Sequence, residues 1–111
     1  MEINLTRDTK TMIARISGRV DTIAASAFQR TLEEALDCRP DRIIVNMEDM
    51  AYISSAGLRS VLIVCRKAQA CRTTLVCCCM NQIVRKIFDV SGFSRLVKIV
   101  DTLDEAERIV I

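Results

Sequence analysis

The sequence has no histidine and only three glycines among its 111 residues. Histidine is the usual general base beside a serine nucleophile, so its absence removes the commonest catalytic pairing. The glycines, Gly18, Gly57 and Gly92, lie far apart, and the chain therefore has no glycine-rich loop of the kind that holds nucleotide phosphates. We expect a protein that is not an enzyme and has no cofactor.

Long apolar runs and an excess of one charge are missing as well. The 16 basic and 14 acidic residues are interspersed and leave a formal net charge of +2, which does not indicate a nucleic-acid or membrane surface. The longest uncharged run, residues 73–84, is too short and too polar to span a bilayer, and the N-terminus lacks the apolar core of a signal peptide. We expect no nucleic-acid partner, no membrane insertion and a cytoplasmic location.

Apolar residues and cysteines are plentiful by contrast. Half of the residues are apolar, enough for one compact domain over residues 1–111 to bury a core unaided. Three of the six cysteines, Cys77, Cys78 and Cys79, are consecutive in a strand-like run, so neighbouring thiols point to opposite faces and cannot converge on one zinc ion. None of the six shows the paired two-residue spacing of zinc ligands. We expect reduced, buried cysteines and no metal site.

The spacing of apolar residues divides the chain into strands and helices. It predicts a hairpin of two strands over 2–7 and 11–17, the second of which ends at Gly18. Strands are then predicted over 42–47, 74–80 and 96–100, and helices over 22–36, 56–70 and 81–90. A capping box at 102–105 begins a last helix. The residues assigned to buried helix faces include Ile23 in the first helix and Ile83, Ile87 and Val90 in the third, and Phe88 is assigned to core or helix-end packing. The order predicts an α/β fold with a mixed, mostly parallel sheet of about five strands and about four helices.

The stretch over residues 50–59 joins a strand exit to a helix start. Ser54 and Ser55 stand where the helix needs its N-cap, and Gly57 allows a close approach of the backbone. One interpretation is that a serine caps the helix and does nothing else. The other is that a hydroxyl at this positive helix end accepts a phosphate. Tyr52, just before the serines, either packs under the turn with its hydroxyl reaching solvent or contacts a partner.

The sequence resembles the STAS domain of bacterial anti-sigma factor antagonists over nearly its whole length. The residues that carry the resemblance are 45–58 (VNMEDMAYISSAGL), 84–93 (VRKIFDVSGF) and 16–21 (ISGRVD). The resemblance implies the STAS fold. It also implies that the serine two positions before the glycine, Ser55, is phosphorylated. Ser54 replaces the aspartate that the family usually has there, and it is a second candidate for phosphorylation.

The resemblance further implies a partner-binding function. In the family, the unphosphorylated protein binds an anti-sigma factor that is itself a serine kinase, which frees a sigma factor, and a serine phosphatase later removes the phosphate. We predict this function here, with a contact surface made of Ser54, Ser55, Ala56, Gly57, Arg59 and Ser60. The alternative is a non-switching STAS scaffold of a transporter or stress-signalling assembly, in which both serines are only caps. The oligomeric state stays open.

Overall fold

The computed structural model describes residues 1–109, in which strands alternate with helices after an initial hairpin. The elements are β1 (Glu2–Asp8), β2 (Thr11–Val20), α1 (Ala25–Asp37), β3 (Arg42–Asn46), β4 (Met50–Ile53), α2 (Ser55–Ala70), β5 (Thr74–Cys78), α3 (Gln82–Val90), a 3₁₀ turn (Phe93–Arg95), β6 (Lys98–Val100) and α4 (Leu103–Glu107). The predicted mixed α/β fold is confirmed. Each predicted helix is present, and no helix within residues 1–109 has the length and apolar character needed to cross a membrane.

The strands form one mixed sheet in the order β1-β2-β3-β5-β6, with β4 paired to β2 beside this path. Strands β1 and β2 are antiparallel, and every other pair is parallel. The first half of β2 pairs with β3, whereas its last residues, Gly18 to Val20, pair with β4. Gly18 has a φ of +89° at the point where the register shifts, so β2 bends there and continues. The prediction that Gly18 closes the strand was wrong, and β4 was not predicted.

Side chains of the central strands are buried on both faces of the sheet. Ile43 and Val45 of β3 join the larger core, which α1, α2 and α3 cover, whereas Ile44 joins a smaller core beneath α4. Cys77 and Cys78 divide between the same two cores, as their neighbouring positions on a strand require. Burial raises the pKa of the Cys78 thiol to about 12 and also raises that of Cys77, so both remain protonated.

The start of α1 differs from the sequence prediction. A turn occupies residues 22–24, and the helix begins only at Ala25. The carboxylate of Asp21 accepts a hydrogen bond from the amide of Ala24 at 2.8 Å, which stabilises the turn. Ile23 lies on this turn and is 91% exposed, so its assignment to the buried helix face was wrong.

Of the three residues of α3 predicted to face inward, Ile87 packs against the core, and the predictions for Ile83 and Val90 were wrong. Val84 and Phe88 are the buried residues of this helix, whereas Ile83 is 62% and Val90 is 79% exposed, and Ile87 is half-buried. Both sets recur at helical spacing, so periodicity alone does not choose between them. The large side chain of Phe88 is fully buried in the core, and this orientation turns Ile83 and Val90 outward.

The start of β6 and the start of α4 can also be compared with the predictions. Strand β6 begins at Lys98, and Leu96, which had been included in it, is exposed. The capping box predicted at the start of α4 is confirmed in one half: the Thr102 hydroxyl accepts from the amide of Glu105 at 3.1 Å, and the Glu105 carboxylate accepts from that hydroxyl at 3.3 Å and not from the Thr102 amide. The guanidinium of Arg42 on β3 donates hydrogen bonds to the backbone carbonyl oxygens of Glu107 and Ile109. These two hydrogen bonds connect the end of α4 to the sheet.

Candidate functional site

Ser54 is the N-cap of α2. Its hydroxyl oxygen accepts a hydrogen bond from the amide of Gly57 at 3.1 Å, and its own amide donates to the carbonyl oxygen of Val20 on β2 at 2.8 Å. The residue is only 7% exposed. One of the two serines therefore caps the helix, as the sequence indicated, and its hydroxyl is turned toward the protein.

Ser55 is the first residue of α2 and is exposed, unlike its neighbour. The first turn of the helix contains no acidic side chain. An anion attached to the Ser55 hydroxyl would lie beside the amide end of a helix of 16 residues, where the helix dipole is favourable to negative charge. Of the two candidate serines, the structure thus leaves Ser55 accessible and Ser54 enclosed.

Gly57 brings α2 close to the strands beneath it. A Cβ atom at this position would lie 2.7 Å from Cγ1 of Ile53 and 3.0 Å from Cγ1 of Val20, and both of those side chains are buried. Any other residue would push the first turn of α2 away from β4 and β2. Gly57 is itself buried, so it positions Ser55 and does not form part of the accessible surface.

Two residues in the second turn of α2 have opposite environments. Arg59 is exposed beside the serines. Ser60, predicted to share that exposed face, is 4% exposed, and its hydroxyl lies 3.2 Å from both the carbonyl oxygen of Ala25 and the side-chain amide oxygen of Gln29. That prediction of exposure was wrong because α1 packs over this side of α2. Of the six predicted contact residues, Ser55, Ala56 and Arg59 are at least partly exposed.

Tyr52 stacks with an arginine of the neighbouring strand. It is half-buried on β4, and the guanidinium carbon of Arg19 lies 4.4 Å from the centroid of its ring. Arg19 and Tyr52 are paired residues of neighbouring strands, which explains why they stack. The pair lies two residues before the serine cap, on the strand that leads into α2.

An apolar groove adjoins Ser55, and the sequence analysis did not predict it. It has a volume of about 490 Å³ between the start of α2 and the outward side of α3. Its lining consists of Ser55, Leu58, Ile83, Lys86, Ile87, Val90 and Ser91. The available signal was that α3 has two apolar stripes, at 83/87/90 and at 84/88, because a helix at the surface of a domain usually buries only one.

Within residues 1–109, no three histidine, cysteine, aspartate or glutamate side chains lie close enough together to hold a metal ion. The accessible groups around Ser55 are a hydroxyl, a guanidinium, an ammonium group and apolar side chains. This set is suited to contact with another macromolecule and to a change of charge at the serine.

Comparisons with known proteins agree with the fold and with the resemblance seen in the sequence. The family model of the STAS domain matches residues 2–106. BtrV of Bordetella bronchiseptica, a protein assigned as an anti-sigma factor antagonist, is 28% identical over 106 residues, which cover 96% of this chain and 91% of BtrV.

Two solved structures extend the comparison. An anti-sigma factor antagonist from Mycobacterium paratuberculosis superposes with a TM-score of 0.87 at 15% identity, covering 96% of this chain and 90% of that one. The Bacillus cell fate determinant SpoIIAA in its phosphorylated form superposes with a TM-score of 0.73 at 25% identity, covering 96% of each chain. The arrangement of strands and helices is thus shared with both.

Proposed function

Because the chain belongs to the STAS domain family, matching its model over residues 2–106, we propose that it is a phosphorylation-switched anti-sigma factor antagonist. In its unphosphorylated form it binds an anti-sigma factor with serine-kinase activity, and this binding frees a sigma factor. The similarity to BtrV over 96% of the chain supports the choice of this function among those of STAS proteins.

The observation that carries the proposal is the contrast between two adjacent serines. Ser54 is enclosed and occupied as the helix cap, whereas Ser55 is exposed at the start of α2 with no acidic residue in the first turn. The proposed kinase transfers the γ-phosphoryl group of ATP to the Ser55 oxygen. The bond from the γ-phosphorus to ADP breaks, an O–P bond to the serine forms, and the hydroxyl proton is released.

The phosphate acts on binding through its charge. It adds about −1.5 to −2 charges at neutral pH, which the amides at the start of α2 tolerate within the free protein. A partner surface fitted to a neutral hydroxyl instead meets an unpaired anion. A loss of about 3 kcal/mol from this contact weakens binding more than a hundredfold. A serine phosphatase then restores the binding form by hydrolysing the phosphate ester.

The test uses a candidate serine kinase chosen from the neighbouring genes, the purified protein and ATP. Mass spectrometry is expected to map one phosphate to Ser55, and none to Ser54. In a binding titration, the Ser55→Ala variant is expected to bind the kinase like the parent and to remain bound with ATP, whereas Ser55→Asp binds about a hundredfold more weakly.

The matched control is Gln69→Asp, which places a carboxylate at an exposed position near the other end of the same helix. It is expected to bind like the parent. Equal binding by the parent, Ser55→Ala and Ser55→Asp would contradict the switch. A complex of fixed stoichiometry that ATP does not dissociate would identify the non-switching scaffold instead.

A further inference from the structure

The groove beside Ser55 is formed by apolar side chains that the chain leaves partly uncovered. Ile83 and Val90 lie on the outward side of α3 with 62% and 79% of their surface exposed, and Leu58 and Ile87 form the floor of the groove. Scattered exposed apolar residues are ordinary, but these converge on one concavity of about 490 Å³. Its position is continuous with the serine that the proposed function uses.

The charged side chain in the lining of this groove is basic. Lys86 lines the groove, and Arg59, the residue that follows Leu58 in the chain, is exposed. No acidic side chain belongs to its lining, and the carboxylate of Asp89 is held by Arg85 at 3.3 Å. Helix α2 presents its amino end here with no acidic residue in its first turn, whereas α3 lies along the groove from Ile83 to its C-cap, Ser91. The dipole of α2 therefore adds to the positive potential of the two side chains.

We propose that this groove docks a helical segment of the protein partner, and that this segment carries bulky apolar side chains next to at least one carboxylate. The apolar side chains fill the space between Leu58 and the outward stripe of α3, and the carboxylate pairs with Lys86. The inference rests on the proposed function in one respect: it assigns the chemistry of the partner whose binding Ser55 controls.

The same geometry explains how a phosphate on Ser55 would act on such a segment. Ser55 and Lys86 line one groove, so a phosphate on Ser55 shares that groove with the ammonium group. The phosphate pairs with the Lys86 ammonium group in place of the partner's carboxylate, and it repels that carboxylate at the same time. Phosphorylation thus removes the electrostatic part of docking and leaves the apolar walls in place.

The experiment uses the isotope-labelled full chain and two synthetic helical peptides of about sixteen residues. Both carry leucine at positions i, i+4 and i+7, with glutamate beside the leucines in one peptide and lysine in the other. Amide chemical-shift titration reports the site and the affinity. The acidic peptide is expected to perturb the residues around the groove and to bind at least about tenfold more tightly than the basic peptide.

Variants locate the contact. The double substitution Ile83→Ser and Val90→Ser changes exposed positions, so the fold is retained, and it is expected to weaken the acidic peptide about tenfold or more. The matched control is Leu96→Ser, an exposed apolar residue outside the groove lining, which is expected to bind like the parent. Protein carrying genetically incorporated phosphoserine at position 55 is expected to bind about tenfold more weakly.

The proposal is overturned if the two peptides bind equally, if neither binds, or if the perturbed amides lie away from the groove. Unchanged binding by the phosphoserine protein would overturn the regulatory part. These readouts involve no kinase and no sigma factor. If the peptides do not bind as expected, the mapping of phosphate to Ser55 is unaffected. If they do, the docking proposal holds even when the candidate kinase does not phosphorylate Ser55.

Discussion

Ser54 and Ser55 are chemically identical neighbours, yet their surroundings separate their roles. The Ser54 hydroxyl accepts from the Gly57 amide and is enclosed, and Ser55 is exposed one position later. Local sequence identifies a serine cap before an amphipathic helix, but it does not decide which of two consecutive serines takes that place. The decision comes from β4, because the amide of Ser54 bonds to Val20 and continues the pairing of the strands.

This difference predicts the effect of removing each hydroxyl on stability. Ser54→Ala leaves an amide of the first helical turn without its acceptor, and it is expected to lower the free energy of unfolding by about 1 kcal/mol. Ser55→Ala is the matched control and is expected to change it by less than about 0.5 kcal/mol. Urea unfolding followed by circular dichroism measures both values. Equal effects of the two substitutions would show that the cap is wrongly assigned.

At the scale of elements, a strand or helix could be predicted when its burial follows from its own apolar pattern. An element that forms only through pairing with a distant segment could not. Strand β3 and helix α2 were found from their own apolar patterns because their burial follows from the strand or helix alone. Strand β4 has only four residues and exists through its pairing with the bent end of β2, which no local pattern contains. The groove was missed for a related reason, since the packing of Phe88 decides which stripe of α3 faces outward.

Helix α4 offers a prediction at this scale. It has five residues, too few to be stable alone, and Arg42 donates to two carbonyl oxygens at its end. Arg42→Met keeps an unbranched side chain, shorter than that of arginine, and removes both hydrogen bonds. Hydrogen bonds to a charged group contribute about 1.5–3 kcal/mol, so amide exchange at Ala106 is expected to become about tenfold faster or more.

The exposed residue Arg39 provides the control, since Arg39→Met removes a guanidinium from the loop just before β3. Exchange in β3 is expected to be unchanged in both variants, which shows that the effect is local to α4. Unaltered exchange at Ala106 in Arg42→Met would mean that the apolar contacts of α4 alone hold it on the sheet.

At the scale of the whole molecule, the free energy of unfolding depends on pH in the alkaline range because two thiols are buried. The folded state raises the pKa of Cys78 from 9.0 to about 12 and raises that of Cys77 in the same direction, in both cases chiefly through burial. Above about pH 9 the unfolded chain loses these protons while the folded chain keeps them. The free energy of unfolding therefore falls as the pH rises from about 9 toward 12, by up to about 1.4 kcal/mol per pH unit for each thiol.

Urea unfolding at several pH values in this range tests the coupling. Cys78→Ala lowers stability at neutral pH because it leaves a small cavity, and it is expected to show a shallower decline above about pH 9 than the parent. Cys71→Ala, at an exposed cysteine, is the control and is expected to keep the slope of the parent. Identical slopes in the parent and Cys78→Ala would show that this thiol is not the group responsible.

Strand β2 bends at Gly18 and continues to Val20. Strand β4 pairs laterally with the end of β2, beside the path that joins β1, β2, β3, β5 and β6. Local opening of β4 with the first turn of α2 therefore breaks no hydrogen bond along that path, and its free energy lies below that of global unfolding.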